Sequence, residues 1–146
     1  MLTIELSIEL DLPMPAVKKK PKSQDLIERA SNLQSLIAQL EKEIQQIFDS
    51  GQVAPENSWI VRYQVKGKYG VYWYYKLQAE LPVFDKREPG KSRYKHLGRA
   101  GSPAYNDAVT AMIRRTKIDA LHRMVNTIKQ GWIDLYEETE KPSKNS

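Results

Sequence analysis

The sequence predicts an α+β protein: a three-stranded antiparallel β-meander, with room for an N-terminal strand beside it, packed with two long α-helices. Three observations lead there. A heptad stripe runs from Leu26 to Ile47, two alternating aromatic runs flank the turn Gly67-Lys68-Tyr69-Gly70, and Ser102-Pro103 opens a second helical pattern. At 146 residues the chain is long enough to bury a core without disulfide staples.

Residues 1–22 read as a strand and a linker. Leu2, Ile4, Leu6, Ile8 and Leu10 alternate with Thr3, Glu5, Ser7 and Glu9, the period of a half-buried strand. Pro13, Pro15 and Pro21, with the run Lys18-Lys19-Lys20, rule out a helix interior and predict an extended basic arm. Such an arm could pair with a sheet of its own subunit or of a neighbour.

The helix predicted over residues 23–50 places Leu26, Ala30, Leu33, Ile37, Leu40, Ile44 and Ile47 at alternating spacings of four and three. Two readings stand side by side. A parallel two-stranded coiled coil would make the protein a homodimer. Alternatively Ile27, Leu36 and Phe48 widen the stripe into that of an ordinary helix, packed antiparallel on the C-terminal helix of the same chain. Gly51 closes the helix.

Residues 58–97 predict the meander. Trp59, Val61, Tyr63 and Val65 share one side of the first strand, opposite Ile60, Arg62, Gln64 and Lys66. In the second strand Val71, Trp73, Tyr75, Leu77, Ala79 and Leu81 oppose Tyr72, Tyr74, Lys76, Gln78 and Glu80. Lys91 to Leu97 is the third strand. Ser102 as N-cap and Pro103 as first helical residue start a helix expected over residues 103–130, where Gly131 should interrupt it. Trp132, Ile133 and Leu135 are expected in a last docked turn, and residues 137–146 in a charged tail.

Charge points to a partner. Residues 60–123 carry 14 Lys/Arg against 5 Asp/Glu, a net of +9, while residues 1–59 are at −3 and residues 124–146 at −1. A positive field concentrated in one segment attracts polyanions, of which nucleic acids are the commonest large class. With no cysteine, disulfides and thiolate metal sites are excluded. No apolar run reaches membrane-span length, and Glu5 and Glu9 sit where a signal peptide would be apolar, so a cytoplasmic protein without membrane contact is expected.

The inventory for catalysis is thin. His96 falls in a strand and His122 in a helix, with no nucleophile motif near either and no metal-ligand spacing. Gly90-Lys91-Ser92 mimics the end of a phosphate-binding loop, but Asp85 occupies the place of its first glycine and the segment joins two strands. The expectation is a non-enzymatic protein with no catalytic residue, metal site or cofactor.

Nucleic-acid binding, DNA ahead of RNA, fits the placement of the charges better. With Trp59, Trp73 and Tyr75 toward the core, the outer sheet face would carry Arg62, Lys66, Tyr72, Tyr74 and Lys76. The third strand adds Lys91, Arg93 and Lys95 on one side and Tyr94 and His96 on the other, and Arg99 leads into the second helix. On that helix Arg114, Arg115, Lys117 and Arg123 would extend the basic surface. A twisted β-ribbon fits the major groove of B-DNA. The main rival is a protein-interaction adaptor using the heptad helix and the N-terminal strand, and the second is an RNA binder that stacks bases on its tyrosines.

The order of a leucine-rich helix, the strand Gly70-Val71-Tyr72-Trp73-Tyr74, the strand Ser92-Arg93-Tyr94-Lys95-His96-Leu97-Gly98 and a long helix resembles small uncharacterised proteins associated with transposons and plasmids. In these a Gly-Pro-Tyr-Trp-Tyr strand precedes an Arg-x-x-Tyr-x-Gly strand. The likeness spans about residues 36–130, with Val71 in place of the proline and His96 in place of the second tyrosine. Many of those proteins carry a cysteine pair before the aromatic strand; this chain has none, so a metal role does not carry over. The three-strands-plus-helix plan also resembles the arm-type DNA-binding domains of integrases, a likeness of fold.

Overall fold

The computed structural model describes residues 21–140, and the strand expected near the N-terminus lies outside them. The fold is α+β: helix α1 (Pro21–Ser50), strands β1 (Ser58–Gly67), β2 (Gly70–Ala79), β3 (Phe84–Asp85), β4 (Lys91–Ser92) and β5 (Tyr94–Gly98), and helix α2 (Pro103–Glu140). The described residues divide into two compact units, Ile47–Asp119 and residues 21–46 with 120–140.

In the first unit β1, β2 and β5 form a three-stranded antiparallel sheet in that order, with β3 and β4 as a separate two-stranded ribbon. The third strand expected over residues 91–97 is therefore two pieces. Arg93 separates them, its carbonyl accepting from the Ala79 amide at 2.9 Å and its Nε donating to the Ala79 carbonyl at 3.4 Å. One sheet face carries the core, where Leu77 and Leu97 are buried with Ala108 of α2, and Ile60, Tyr75, Phe84, Tyr105 and Met112 pack around them. The Tyr75 and Tyr105 rings meet edge-on, 4.9 Å between centroids. Ser102 caps α2 as expected, its Oγ accepting from the Tyr105 amide at 3.2 Å and donating to the Leu97 carbonyl at 2.8 Å. One cap thus fastens the helix start to the end of β5.

Two arginines expected on the basic surface are instead structural. Arg115 is buried and donates to the Ala54 carbonyl at 2.9 Å while pairing with Asp119 at 3.1 Å. Arg114 lies at the end of α1, donating to Ser50 Oγ at 3.2 Å and to the Gln52 carbonyl at 3.0 Å. The loop after α1 leaves backbone carbonyls without helical partners, and these guanidinium groups supply the missing donors.

In the second unit Ala30, Trp132 and Leu135 are buried together, with Leu26 and Leu33 packed on them. Arg29 pairs with Glu138 at 2.8 Å and Glu41 with Lys129 at 3.9 Å, so as α1 advances its partners on α2 recede, an antiparallel pair. Ile37, Leu40 and Ile44 of the same stripe are buried in the single chain as well. The helix expected to stop at Gly131 continues to Glu140, through residues expected in the charged tail. Glycine in a helix interior costs up to about 1 kcal/mol relative to alanine. Burial of Trp132 and Leu135 on the far side of Gly131 outweighs that several-fold, at about 1.5–3 kcal/mol for a large apolar side chain. A Cβ at Gly131 would meet nothing within 4 Å. Gly131→Ala is accordingly expected to stabilise the protein by about 0.5–1 kcal/mol, read as a rise in the denaturant midpoint at unchanged slope.

Candidate nucleic-acid interface

Sheet register decides which side chains share a surface, because facing residues of paired strands point the same way. Tyr63 faces Tyr74, Val65 faces Tyr72 and Val61 faces Lys76, while on β5 His96 faces Lys76 and Tyr94 faces Gln78. Tyr63, Tyr72, Tyr74, Lys76, Tyr94 and His96 therefore lie on the sheet face away from the core, with Trp59. Arg62 faces Tyr75 and Lys66 faces Val71, which puts both on the helix side of the sheet. The expected outer face is corrected here: β1 presents Trp59 and Tyr63 to the open side and withdraws Arg62 and Lys66. The symmetric turn holds this information, since pairing Gly67 with Gly70 sets Lys66 opposite Val71.

The open face is a lattice of cations on rings. Lys76 Nζ lies 5.2 Å from the Tyr63 ring centroid and 4.5 Å from that of Tyr94. The Arg99 guanidinium carbon lies 4.7 Å from the Tyr72 centroid and 5.9 Å from that of Tyr74. Tyr63 and Tyr74 neighbour each other at 6.3 Å, and the Tyr63 hydroxyl is hydrogen-bonded to His96 Nδ1 at 3.0 Å. Each exposed cation–π contact contributes about 0.5–1 kcal/mol, enough to bias where a long side chain rests.

Arg99 reaches this face through a bulge. Tyr75 pairs with Gly98 but Lys76 pairs with His96, so Leu97 is an extra residue in β5. Without it Arg99 would alternate onto the helix side. Gly98 sits at φ +84°, the left-handed region that such a bulge asks of a glycine. Gly67 serves the face in a second way: a Cβ there would lie 2.5 Å from the Tyr72 ring, so the bare backbone gives that ring its seat.

The remaining expected residues lie apart from the lattice. Lys95 faces Leu77 on the helix side, and Arg93 is held at the strand break by Ala79. Lys91 pairs with Asp85, and its hydrogen bond and charge hold that carboxyl below the usual carboxylate range. Ion pairs among the described residues engage Arg29, Lys91, Arg115 and Lys129, and none involves Arg62, Lys66, Lys76, Arg93, Lys95 or Arg99. Tyr63, expected on the core side with Trp59, completes the lattice beside His96, and the register through the turn was the signal for it. Among the described residues no group of three or more His, Asp or Glu could hold a metal ion, and no helix is long and apolar enough to cross a membrane.

No family model, curated protein or solved structure matches the chain. The face must be read from its own chemistry.

Two glycine substitutions separate the roles of backbone and seat. Gly98→Ala is expected to lower unfolding stability by about 1–2 kcal/mol through left-handed strain. Gly67→Ala should unfold at nearly the wild-type midpoint yet displace the Tyr72 ring, seen in NMR as loss of the ring-current shift on the Arg99 side chain.

Proposed function

We propose that this protein binds nucleic acid without catalysing a reaction, that the ligand is double-stranded DNA, and that Lys76 and Arg99 on the open sheet face contact its phosphates. The observation that carries the reading is the lattice itself: two cations, each resting on two tyrosine rings, without a carboxylate partner among the described residues, on one open surface. Tyr72, Tyr74 and Tyr94 act here mainly as supports. A ring already covered by a cation is a poor platform for a base, whereas the cation above it is offered outward at a fixed place. This favours phosphate contact on a duplex over the base stacking that dominates single-strand and RNA recognition.

Arg62, Lys66, Arg93 and Lys95 lie outside the lattice and keep a part in the proposal through the positive charge they add around the sheet. The binding unit is taken as one chain, because Ala30, Ile37, Leu40 and Ile44 of the heptad stripe that would have joined two are buried within a single copy. The resemblance to transposon- and plasmid-associated proteins agrees with a DNA ligand.

Titration of a labelled duplex, a single strand and a structured RNA at two salt concentrations tests this. The duplex is expected to bind tightest, with log affinity falling linearly in log salt. Lys76→Ala with Arg99→Ala should lower that slope by roughly two, since each phosphate contact contributes about 0.9. Preference for the single strand or the RNA would shift the ligand to that class. Failure of all three to bind at physiological salt would leave an acidic protein surface as the partner.

A further inference from the structure

Beyond the open face, the hairpin made by β1 and β2 has a second exposed surface. Past Ile60 and Tyr75 the core ends, and the helix-side positions Arg62, Gln64, Lys66, Val71 and Trp73 are all exposed. This surface is organised too. The Arg62 guanidinium carbon stacks 3.5 Å from the Trp73 ring centroid, the tightest cation–π contact among the described residues, while Trp73 keeps 43% of its surface open. At the tip Lys68 lies 5.4 Å from the ring of Tyr69, which is 84% exposed.

Composition supports the same picture. From Ser58 to Ala79 the chain carries Arg62, Lys66, Lys68 and Lys76 and not one Asp or Glu. A ribbon that met a polyanion on one face would gain nothing by excluding carboxylates from the other. Exclusion from both faces and the tip is what contact on both faces requires, because a single misplaced carboxylate would repel the near phosphate strand.

We propose that the β1–β2 hairpin is a two-faced arm that stands in the major groove of a DNA duplex, with Lys76 and Arg99 toward one phosphate strand and Arg62 and Lys66 toward the other. The inference rests on the nucleic-acid reading above and adds its geometry. A β-layer with side chains on both faces is about 10 Å thick. The major groove of B-DNA is about 12 Å wide and the minor groove about 6 Å, so the arm fits the first and not the second. The major groove of A-form RNA is too narrow to admit it, which makes the arm selective for DNA. Lys68 and Tyr69 lead, and the tyrosine is placed to meet base edges or thymine methyl groups along the floor.

The full-length chain and a short labelled mixed-sequence duplex suffice to test the arm. Because the protein has no cysteine, Val65→Cys and Val71→Cys each install a single thiol, on the open face and on the helix side respectively. Both positions are exposed, so neither substitution removes core packing. Saturating duplex is expected to slow alkylation of both thiols at least several-fold. In parallel, Arg62→Ala with Lys66→Ala should lower the salt slope by roughly two, as much as the Lys76 and Arg99 pair. Protection of position 65 alone, with an unchanged slope in the Arg62 and Lys66 variant, would overturn the two-faced arm and leave the open-face reading standing. Absence of any duplex binding by the wild-type chain would remove both.

Discussion

The register of β1 against β2 is the constraint on which the candidate site depends. Side chains alternate along a strand, so a slip of one residue would exchange the two faces throughout β1. Ile60 opposite Leu77 holds the register from the core end, where both meet Leu97 and Ala108. A slip would expose Ile60 and forfeit about 1.5–3 kcal/mol of apolar burial. Packing at one end of the hairpin thereby decides which rings and cations meet near the other, where no core exists to do so. The bulge at Leu97 performs the same service for β5, allowing one residue to remain in the core and Arg99 to appear among the tyrosines.

Much of the fold was legible because it follows from periodicity. The heptad, the alternating aromatic strands and the Ser102-Pro103 start each correspond to an element that forms. Misreadings arose where tertiary packing overrode a local signal. Gly131 has the propensity of a helix stop, but Trp132 and Leu135 bury their side chains just beyond it and carry the helix through. The stretch from Lys91 to Leu97 alternates as one strand, yet the contact of Arg93 with Ala79 divides it between two sheets.

The grouping of the candidate site was legible on β2, but on β5 only in part, since Lys95 turns to the helix side, and not in its facing on β1. Tyr72, Tyr74, Lys76, Tyr94 and Arg99 meet as a group, and Arg62 and Lys66 fall on the other surface. Counting charge by segment also overstated the free surface. Arg114 and Arg115 contribute to the positive total of the middle region while their guanidinium groups are occupied by backbone carbonyls near the end of α1. Formal charge belongs to composition; availability depends on which acceptors the fold leaves unmet, and that cannot be read from spacing alone.

Resting Lys76 and Arg99 on tyrosine rings has an entropic consequence. A free lysine or arginine side chain surrenders about 1.5–2 kcal/mol of rotamer freedom when it is fixed. On this face part of that ordering is already accomplished during folding, by the rings, so less of it is charged to the moment of association. If the proposed polyanion binds here, the head groups would meet it pre-positioned, and a partner that matched their spacing would be retained longer than one that merely matched their sign.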